Sequence, residues 1–310
     1  MRMRYLILCI CSIIYTNNTI AIFSFKKLYT SIIPRKMEQE TIFEEHNSQK
    51  KATMLTVKNK NGNILVKTDA EHDTIFLKAT KRAYEKEDLA RLTFTCKPVG
   101  TETLVEATYD ETAVDGFIDF ELIVPQKLAL QINTQEGSIK VCQTHGPLQV
   151  STQKGPIEVI NAHNTVNACT HTKGSITFHN PQGRIKAQTN NGNIAIYDAQ
   201  NSIMANTNYG SIELFAKDIP STSAIKLTTV SGSILLHLPP DVNADLQAST
   251  KYGMITSDHF ITLKPHTTQL NRNAWRRLQK EIEGTLGSGE AQITLSSIRS
   301  DIKLIETKVS

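Results

Sequence analysis

A short motif recurs along the middle of the chain at nearly constant spacing, and it restricts the fold more than any other feature. A threonine is followed three residues later by a glycine, and an isoleucine stands two places after the glycine. The threonines are Thr134, Thr152, Thr189, Thr207, Thr229 and Thr250, while His171 takes the threonine place in one unit. The glycines are Gly137, Gly155, Gly174, Gly192, Gly210, Gly232 and Gly253, at spacings of 18, 19, 18, 18, 22 and 21. A period of this kind indicates stacked structural repeats.

Each unit of the repeat has the pattern of two β-strands. A looser copy of the motif lies midway between the glycines, as in GPLQV from Gly146 and NSIMA from Asn201. Apolar residues stand two and four places after each glycine position, for example Ile194 and Ile196 after Gly192. Alternation with period two is typical of a strand with one buried face. A single strand cannot bury that face alone, so the units are expected to stack.

The predicted fold class is all-β: a flattened β-solenoid with two strands per coil of about 18 residues and an interstrand spacing of about 4.8 Å. A β-sandwich of hairpins is the alternative, but hairpins do not require the same residue at every second turn. The regular solenoid is predicted over residues 131–257.

The remaining segments are assigned from composition and pattern. Residues 53–130 are rich in strand patterns of uneven spacing, which predicts an irregular β section continuous with the solenoid. Residues 258–290 interrupt the repeat with a predicted short helix that has Asn271 as N-cap, Trp275, Leu278 and Ile282 on one face, and Gly284 as its end. Residues 291–310 resume the nine-residue spacing as closing strands, and residues 22–52 form a polar linker with a short strand at 41–43.

The N-terminus has the pattern of an export signal. Arg2 and Arg4 precede an apolar run from Tyr5 to Tyr15, which is too short for a helix spanning a bilayer of roughly 30 Å. Thr19 and Ala21 suit cleavage after Ala21, so residues 1–21 are assigned to a signal peptide, with a retained anchor as the alternative. The protein is therefore expected to be periplasmic, on the cell surface or attached to the membrane through its N-terminus.

Charge and cysteine content narrow the function classes. A formal net charge of +4 in 310 residues gives no reason to expect a nucleic-acid partner. Three cysteines follow the signal segment, Cys96, Cys142 and Cys169, and this odd, sparse set does not form a disulfide framework. A bond between Cys142 and Cys169 would cross the core of the solenoid, so none is expected.

Several passages together resemble a known family. They are NGNILV at Asn61, FIDFELIVPQKLALQINTQEGSIKV at Phe117, the series of threonine–glycine corners, LLHLPPDVNADLQASTKYG at Leu235, and GSGEAQITLSSIRSDIKL at Gly287. The chain is similar, from about Thr53 to Glu306, to the bacterial putative-adhesin domain family of unknown function. This resemblance implies β-strand repeats and an exported or surface-associated protein. It carries over no catalytic residue.

Motifs for catalysis are not found in the sequence. A β-helical polysaccharide hydrolase needs two carboxylates that converge on one groove, about 5–9.5 Å apart. The outward strand positions instead carry isolated acids such as Glu158 and Glu213, and outward aromatic residues for sugar stacking are expected to be scarce. The sequence therefore predicts no enzyme activity and no cofactor.

Two small clusters at the predicted corners remain. His145 and His163 are eighteen residues apart and Cys142 shares a turn with His145, an arrangement that zinc accepts if a fourth ligand is present. No fourth ligand is evident, so solvated turn residues are the favoured interpretation and no metal is predicted. Tyr209 and Tyr252 precede corner glycines two turns apart, with Ser231 between them, and isolated exposed rings need no function.

The hypothesis that follows is a non-enzymatic, exported β-solenoid that serves as an adhesin or as a surface or periplasmic binding module, with an unknown surface protein or glycan as partner. Two alternatives stay open. One is a carbohydrate-active enzyme on the same scaffold, and the other is a self-assembling scaffold whose open ends pair edge to edge.

Overall fold

A computed structural model of the chain describes residues 37–47, 52–71, 73–110, 116–264 and 280–307. Nearly all of these residues lie in or between β-strands, and the all-β prediction is confirmed. The first strands are β1 Glu38–Asn47, β2 Met54–Lys58, β3 Ile64–Asp69, β4 Thr74–Ala83, β5 Leu92–Val99, β6 Glu102–Tyr109, β7 Phe117–Pro125, β8 Ala129–Glu136 and β9 Ile139–Cys142. The repeat region adds β10 Leu148–Lys154, β11 Ile157–Ile160, β12 Val166–Lys173, β13 Ile176–His179, β14 Ile185–Asn191, β15 Ile194–Ala199, β16 Ile203–Tyr209, β17 Ile212–Ala216, β18 Ala224–Ser231 and β19 Ile234–Leu238. The last strands are β20 Ala244–Thr250, β21 Ile255–Ser257, β22 Thr262–Leu263, β23 Glu281–Leu286, β24 Ala291–Ser297 and β25 Ile302–Glu306. One short helix, α1 Lys86–Arg91, is found within the described residues.

The described strands form two long sheets. The first sheet has 12 strands in the order β1-β4-β7-β3-β9-β11-β13-β15-β17-β19-β25-β21, and the second has 13 in the order β22-β23-β20-β24-β18-β16-β14-β12-β10-β8-β2-β6-β5. From β8 to β19 the chain alternates between the two sheets, and the strands of each sheet are parallel. Equivalent residues of successive repeats are paired, as in Val150 with Ile132 on one side and Ala168 on the other. The fold is therefore β-solenoid-like.

The core lies between the two sheets and is made of the alternating apolar residues. Ile194, Ile196 and Ile212 are fully buried in the first sheet, and Ala205 and Leu227 are fully buried in the second. Each buried isoleucine or leucine contributes about 1.5–3 kcal/mol relative to an exposed one. Because the strands of the repeat region share this pattern, one apolar core continues through the stack.

The repeated glycines lie in one column at a corner between the sheets. A Cβ atom on Gly192 would lie closer than 3.0 Å to the carbonyl oxygen of Gly174, and the same holds for Gly155 over Gly137 and for Gly210 over Gly192. The φ angle of Gly155 is 140°, whereas that of Gly192 is not in the left-handed range. The close approach of successive backbones, more than the φ angle, therefore requires glycine at these positions.

The threonines of the motif form a second, buried column beside the glycines. The Thr207 hydroxyl donates to the carbonyl oxygen of Gly192 over 3.0 Å, and the Thr229 hydroxyl donates to that of Gly210 over the same distance. Each hydroxyl thus ties its strand to the corner of the preceding repeat. A buried hydrogen bond of this kind contributes about 1 kcal/mol.

The structure corrects one member of the predicted threonine column. Thr170, not His171, pairs with Thr152 and Thr189, and it is buried. The register shifts between Thr152 and Lys154, so strand β12 accommodates one extra residue. This bulge explains the spacing of 19 before Gly174 and leaves His171 exposed on the surface.

Both ends of the stack depart from sequence order. Strands β2 and β3 pair in parallel with β8 and β9, yet they also pair with β6 and β7 on their other side. At the opposite end, β24 and β25 lie between β18–β19 and β20–β21. The predicted irregular section thus contains one strand pair in the regular register, and the predicted closing strands are interior to the stack.

The prediction of a helix near the C-terminus is wrong for its last residues. Ile282 and Gly284 belong to β23, which pairs antiparallel with β20. Asn271, Trp275 and Leu278 lie outside the described residues. The strand predicted at 41–43 is longer than expected, because β1 pairs with β4 over its whole length.

We predict that Gly192→Ala lowers the free energy of unfolding by about 3 kcal/mol, because the added methyl group forces two backbones apart. Gly100→Ala is the matched control. Gly100 has a φ of 65°, and no atom of the described part of the chain lies within 4 Å of the position that a methyl group would take there. About 1 kcal/mol is therefore expected from backbone strain alone. Urea denaturation of both variants measures the difference. Equal losses would show that the corner has room for a side chain.

Candidate functional site

The outer face of the second sheet carries a continuous row of uncharged polar side chains. In-register pairing aligns one outward residue from each of eight neighbouring strands. This polar row consists of Asn133, Ser151, Cys169, Gln188, Asn206, Thr228, Ser296 and Ser249. Amides and hydroxyls both donate and accept hydrogen bonds. The row therefore offers repeated hydrogen-bonding groups about 4.8 Å apart.

A shallow depression of about 210 Å³ lies beside the middle of the polar row. The amides of Gln188, Asn190, Asn206 and Asn208 line it, and Asn208 Nδ2 donates to Asn190 Oδ1 over 2.7 Å. Among the residues that the structure describes, no carboxylate or lysine lines this depression. Its chemistry suits a neutral ligand with many hydroxyl groups better than a charged one.

The closest approach to a catalytic arrangement on this face involves His171. Its Nε2 lies 3.0 Å from the Ser151 hydroxyl, and its Nδ1 lies 3.8 Å from Cys169 Sγ. Partial burial raises the pKa of the Cys169 thiol, although nearby Lys186 acts in the opposite direction. A raised pKa disfavours the thiolate, which is the nucleophilic form of cysteine. This group is therefore a polar cluster rather than an activated nucleophile.

The outer face of the first sheet differs in character, because it carries four stacked aromatic rings. His179, Tyr197, Phe215 and His237 come from the neighbouring strands β13, β15, β17 and β19. Successive ring centroids are 5.2, 5.3 and 3.9 Å apart, with interplanar angles of 13°, 25° and 10°. We refer to these four residues as the aromatic ladder. Outward aromatic residues are thus present on this face, although the sequence predicted few that suit sugar stacking.

The geometry of the aromatic ladder limits what it binds. Parallel rings at these separations stack face to face, so each inner ring uses its faces on its neighbours and presents an edge to solvent. A sugar stacks on an exposed ring face, and Tyr197 and Phe215 do not offer one. The ladder therefore fits a role in holding neighbouring strands together. Glu213 Oε1 lies 3.4 Å from His237 Nε2 at one end of it.

The sequence carries a signal for the aromatic ladder at a fixed offset from the repeat. Each ladder residue stands five places after a corner glycine, as Tyr197 does after Gly192. Ile160 and Cys142 occupy the same place in the preceding repeats. The offset, rather than aromatic content in general, distinguishes these residues from other aromatic side chains.

The structure brings together two of the three residues in the predicted corner cluster. The rings of His145 and His163 are 4.0 Å apart, and His145 Nε2 lies 2.9 Å from the Gln126 amide nitrogen. His163 Nδ1 faces the carbonyl oxygen of Asn161 at 3.2 Å. Within the described part of the chain, no three His, Cys, Asp or Glu side chains gather as they would around a metal ion.

The three cysteines are free and lie apart in the fold. Cys142 is on the first sheet and Cys169 on the second, as the solenoid prediction implied. Burial and the nearby Glu44 carboxylate raise the pKa of Cys96 to about 12. Burial also raises the pKa of Cys142.

The two predicted tyrosines are exposed but more distant than expected. Tyr209 and Tyr252 are 56% and 65% exposed. Because β24 lies between β18 and β20, the two tyrosines are three strands apart in the second sheet instead of two. They do not form a continuous strip.

Comparison with known proteins supports the predicted family resemblance over part of the chain. Residues 182–305 match the family described as Toastrack DUF4097, a domain of unknown function with β-strand repeats. This stretch includes the aromatic residues Tyr197, Phe215 and His237, the strands from β14 to β24 and most of β25. No curated protein matches the chain.

Two crystal structures are similar at low sequence identity. A putative adhesin from Bacteroides fragilis is 12% identical, with a TM-score of 0.48, and the match covers 86% of this chain and 97% of that one. A putative cell adhesion protein from Clostridium sporogenes is 8% identical, with a TM-score of 0.27, over 88% of this chain and 100% of that one. Both TM-scores are too low to decide the fold or the function of this chain. No helix among the described residues is long and apolar enough to cross a membrane.

We predict that His145 titrates below the usual range of a histidine. Partial burial of the ring, the neighbouring His163 and Lys127 all lower the pKa of His145. Stability that depends on neutral His145 is therefore present above a pH of about 6.5 and is lost as the pH falls through the lowered pKa. An NMR titration should show the pKa of His145 rising in His163→Asn and unchanged in His171→Asn, whose ring lies near the C-terminal end of β12, whereas His145 precedes β10. An unchanged value in both variants would remove His163 as a cause.

Proposed function

We propose that the protein is a non-enzymatic, exported binding module whose rigid stack of strands displays the polar row to an extracellular or periplasmic partner. The proposal includes the finer architecture: coils of about 18 residues with two strands each. The alternation of strands between the two sheets and the pairing of equivalent residues support this repeat unit. The N-terminal export pattern supports the location.

The polar row is the observation that carries the proposal. Its members are uncharged over eight neighbouring strands, and the strands fix their spacing because the backbone hydrogen bonds set the register. Many weak contacts from such a row add up when a long partner follows the stack, and rigid presentation lowers the entropy cost of each one. A neutral glycan is the partner that best matches amides and hydroxyls without charge.

Ion pairing of surface carboxylates supports the non-enzymatic part of the proposal. Glu158 lies 2.9 Å from Lys140, and Glu136 lies 2.6 Å from Lys154. Glu121 is likewise 2.9 Å from Lys78. These carboxylates are each paired with a lysine, whereas glycoside hydrolysis requires two carboxylates that face one groove.

The edge strands make the self-assembling scaffold the weaker alternative. The first sheet ends at β21, which has 3 residues, and the second ends at β22, which has 2. At the opposite end, β5 contains Lys97 and Pro98, and β1 contains Glu38 and Glu40. Short strands, charges and proline all discourage edge-to-edge pairing.

A glycan and matrix-protein array tests the proposed function. The wild-type protein is expected to bind neutral glycans, and the double variant Gln188→Lys, Asn206→Lys should lose that binding because it introduces two adjacent positive charges into the polar row. Thr177→Lys makes a similar change at an outward position of the first sheet and should retain binding. Loss in both variants, or in neither, would show that the polar row is not the binding surface.

Export is tested by fractionating cells that produce the protein and sequencing its mature N-terminus. Recovery outside the cytoplasm with Ile22 as first residue is expected. A cytoplasmic protein that still begins at Met1 would contradict the proposed location.

A further inference from the structure

The outer face of the first sheet has an apolar groove at the end opposite to the aromatic ladder. Strands β1, β4, β7 and β3 lie side by side there. Phe76 is paired with Ile123, and Ile123 is paired with Lys67 on its other side. Together with Leu65 and Phe43, these side chains line what we call the apolar groove.

The size and exposure of the apolar groove are unusual for a solvated sheet face. Its volume is about 410 Å³, within the range of roughly 300–1,000 Å³ for small-molecule sites. Phe43 is 73% exposed and Ile123 is 43% exposed. In the aromatic ladder each ring covers its neighbour, whereas these two side chains keep much of their apolar surface in water. Clustered exposed apolar side chains are typical of a binding site.

The charges around the groove favour an anionic group at one position. Lys78 and Glu121 form an ion pair of 2.9 Å, and Glu44 acts electrostatically on the Cys96 thiol. Lys67 makes no ion pair or hydrogen bond with any of the side chains that the structure describes, which do not include those of residues 45–47. Its ammonium group therefore lies beside the apolar floor without a carboxylate partner among the described side chains.

We propose that the apolar groove binds a long-chain carboxylate of the fatty-acid class. The alkyl chain lies over Phe76 and Ile123, and the carboxylate pairs with Lys67 at the rim. Burying the alkyl chain supplies most of the affinity. The ion pair selects the head group. This site is on the sheet opposite to the polar row and does not depend on the proposed function.

Binding of dansyl-labelled undecanoic acid to the full chain, followed by fluorescence, tests the proposal. The neutral methyl ester of the same probe isolates the head group. The wild-type protein should bind the acid more tightly than the ester. Lys67→Met should weaken binding of the acid by up to about fivefold, the effect of one exposed ion pair, and leave the ester unchanged.

Ile123→Glu tests the floor of the groove, and Ile305→Glu is its matched control. Ile305 stands at the same outward register position in β25, next to His237 and far from the groove. Because both residues are partly exposed, circular dichroism should show both variants folded. Ile123→Glu should abolish binding of the acid and the ester, while Ile305→Glu should bind both like the wild type.

Several outcomes would overturn the proposal. They are no binding of the acid to the wild-type chain, equal affinity for acid and ester, or equal loss in both glutamate variants. Co-sedimentation with phosphatidylcholine vesicles without binding of the monomeric acid would also overturn it, since the partner would then be a lipid surface. Failure of the glycan array with success of this assay would leave the groove in place and reject only the polar row.

Discussion

The close contact between corner glycines is the constraint on which the rest of this structure depends. Along most of the column, the carbonyl oxygen of one glycine is packed against the next glycine and, in several repeats, also accepts a threonine hydroxyl. Ser300 takes the glycine place between Gly232 and Gly253. No side chain fits between the packed glycines. The contact fixes where each repeat begins relative to the one before it, and backbone hydrogen bonds then set the register of the strands. Straight outward rows on both sheets follow from this alignment.

The two sheets use the same register for different chemistry. Gln188 and Asn206 are neighbours on the second sheet and present amides, whereas Tyr197 and Phe215 are neighbours on the first sheet and stack their rings. One-dimensional repetition therefore produces a polar surface suited to extended partners and, on the opposite side, a surface that reinforces the stack. The insertion of β24 and β25 between earlier strands also keeps these late strands inside the sheets.

Much of this architecture could be predicted from the sequence, because the spacing of the glycines gives the number of residues in each repeat. The prediction failed where a local pattern does not encode a distant partner. His171 matched the motif by position, but a bulge in β12 moved Thr170 into the buried column. Ile282 and Gly284 fitted a helix by periodicity, yet pairing with β20 holds them in a strand. Nothing in the sequence around Ala291 indicates that its strand pairs on both sides.

The candidate surfaces were less accessible to sequence analysis than the fold. The polar row was not predicted from the sequence, and its uncharged character over eight strands is evident only when residues from Asn133 to Ser296 are placed in register. The apolar groove is formed by β1 together with strands that are distant in sequence, so no local motif predicts it. Conversely, the His145–His163 pair was found from spacing alone, because both residues precede corners one repeat apart.

Distances between spin labels on the second sheet test the stacking most directly. Labels at Gln131 and, in turn, Lys226, Thr294 and Gln247 are separated by five, six and seven strands, which corresponds to about 24, 29 and 34 Å at 4.8 Å per strand. Pulsed electron–electron double resonance should give distances from Gln131 that increase in this order, so that Thr294 is nearer to Gln131 than Gln247 is. Distances that follow sequence order, or that do not grow with the number of strands, would contradict the account.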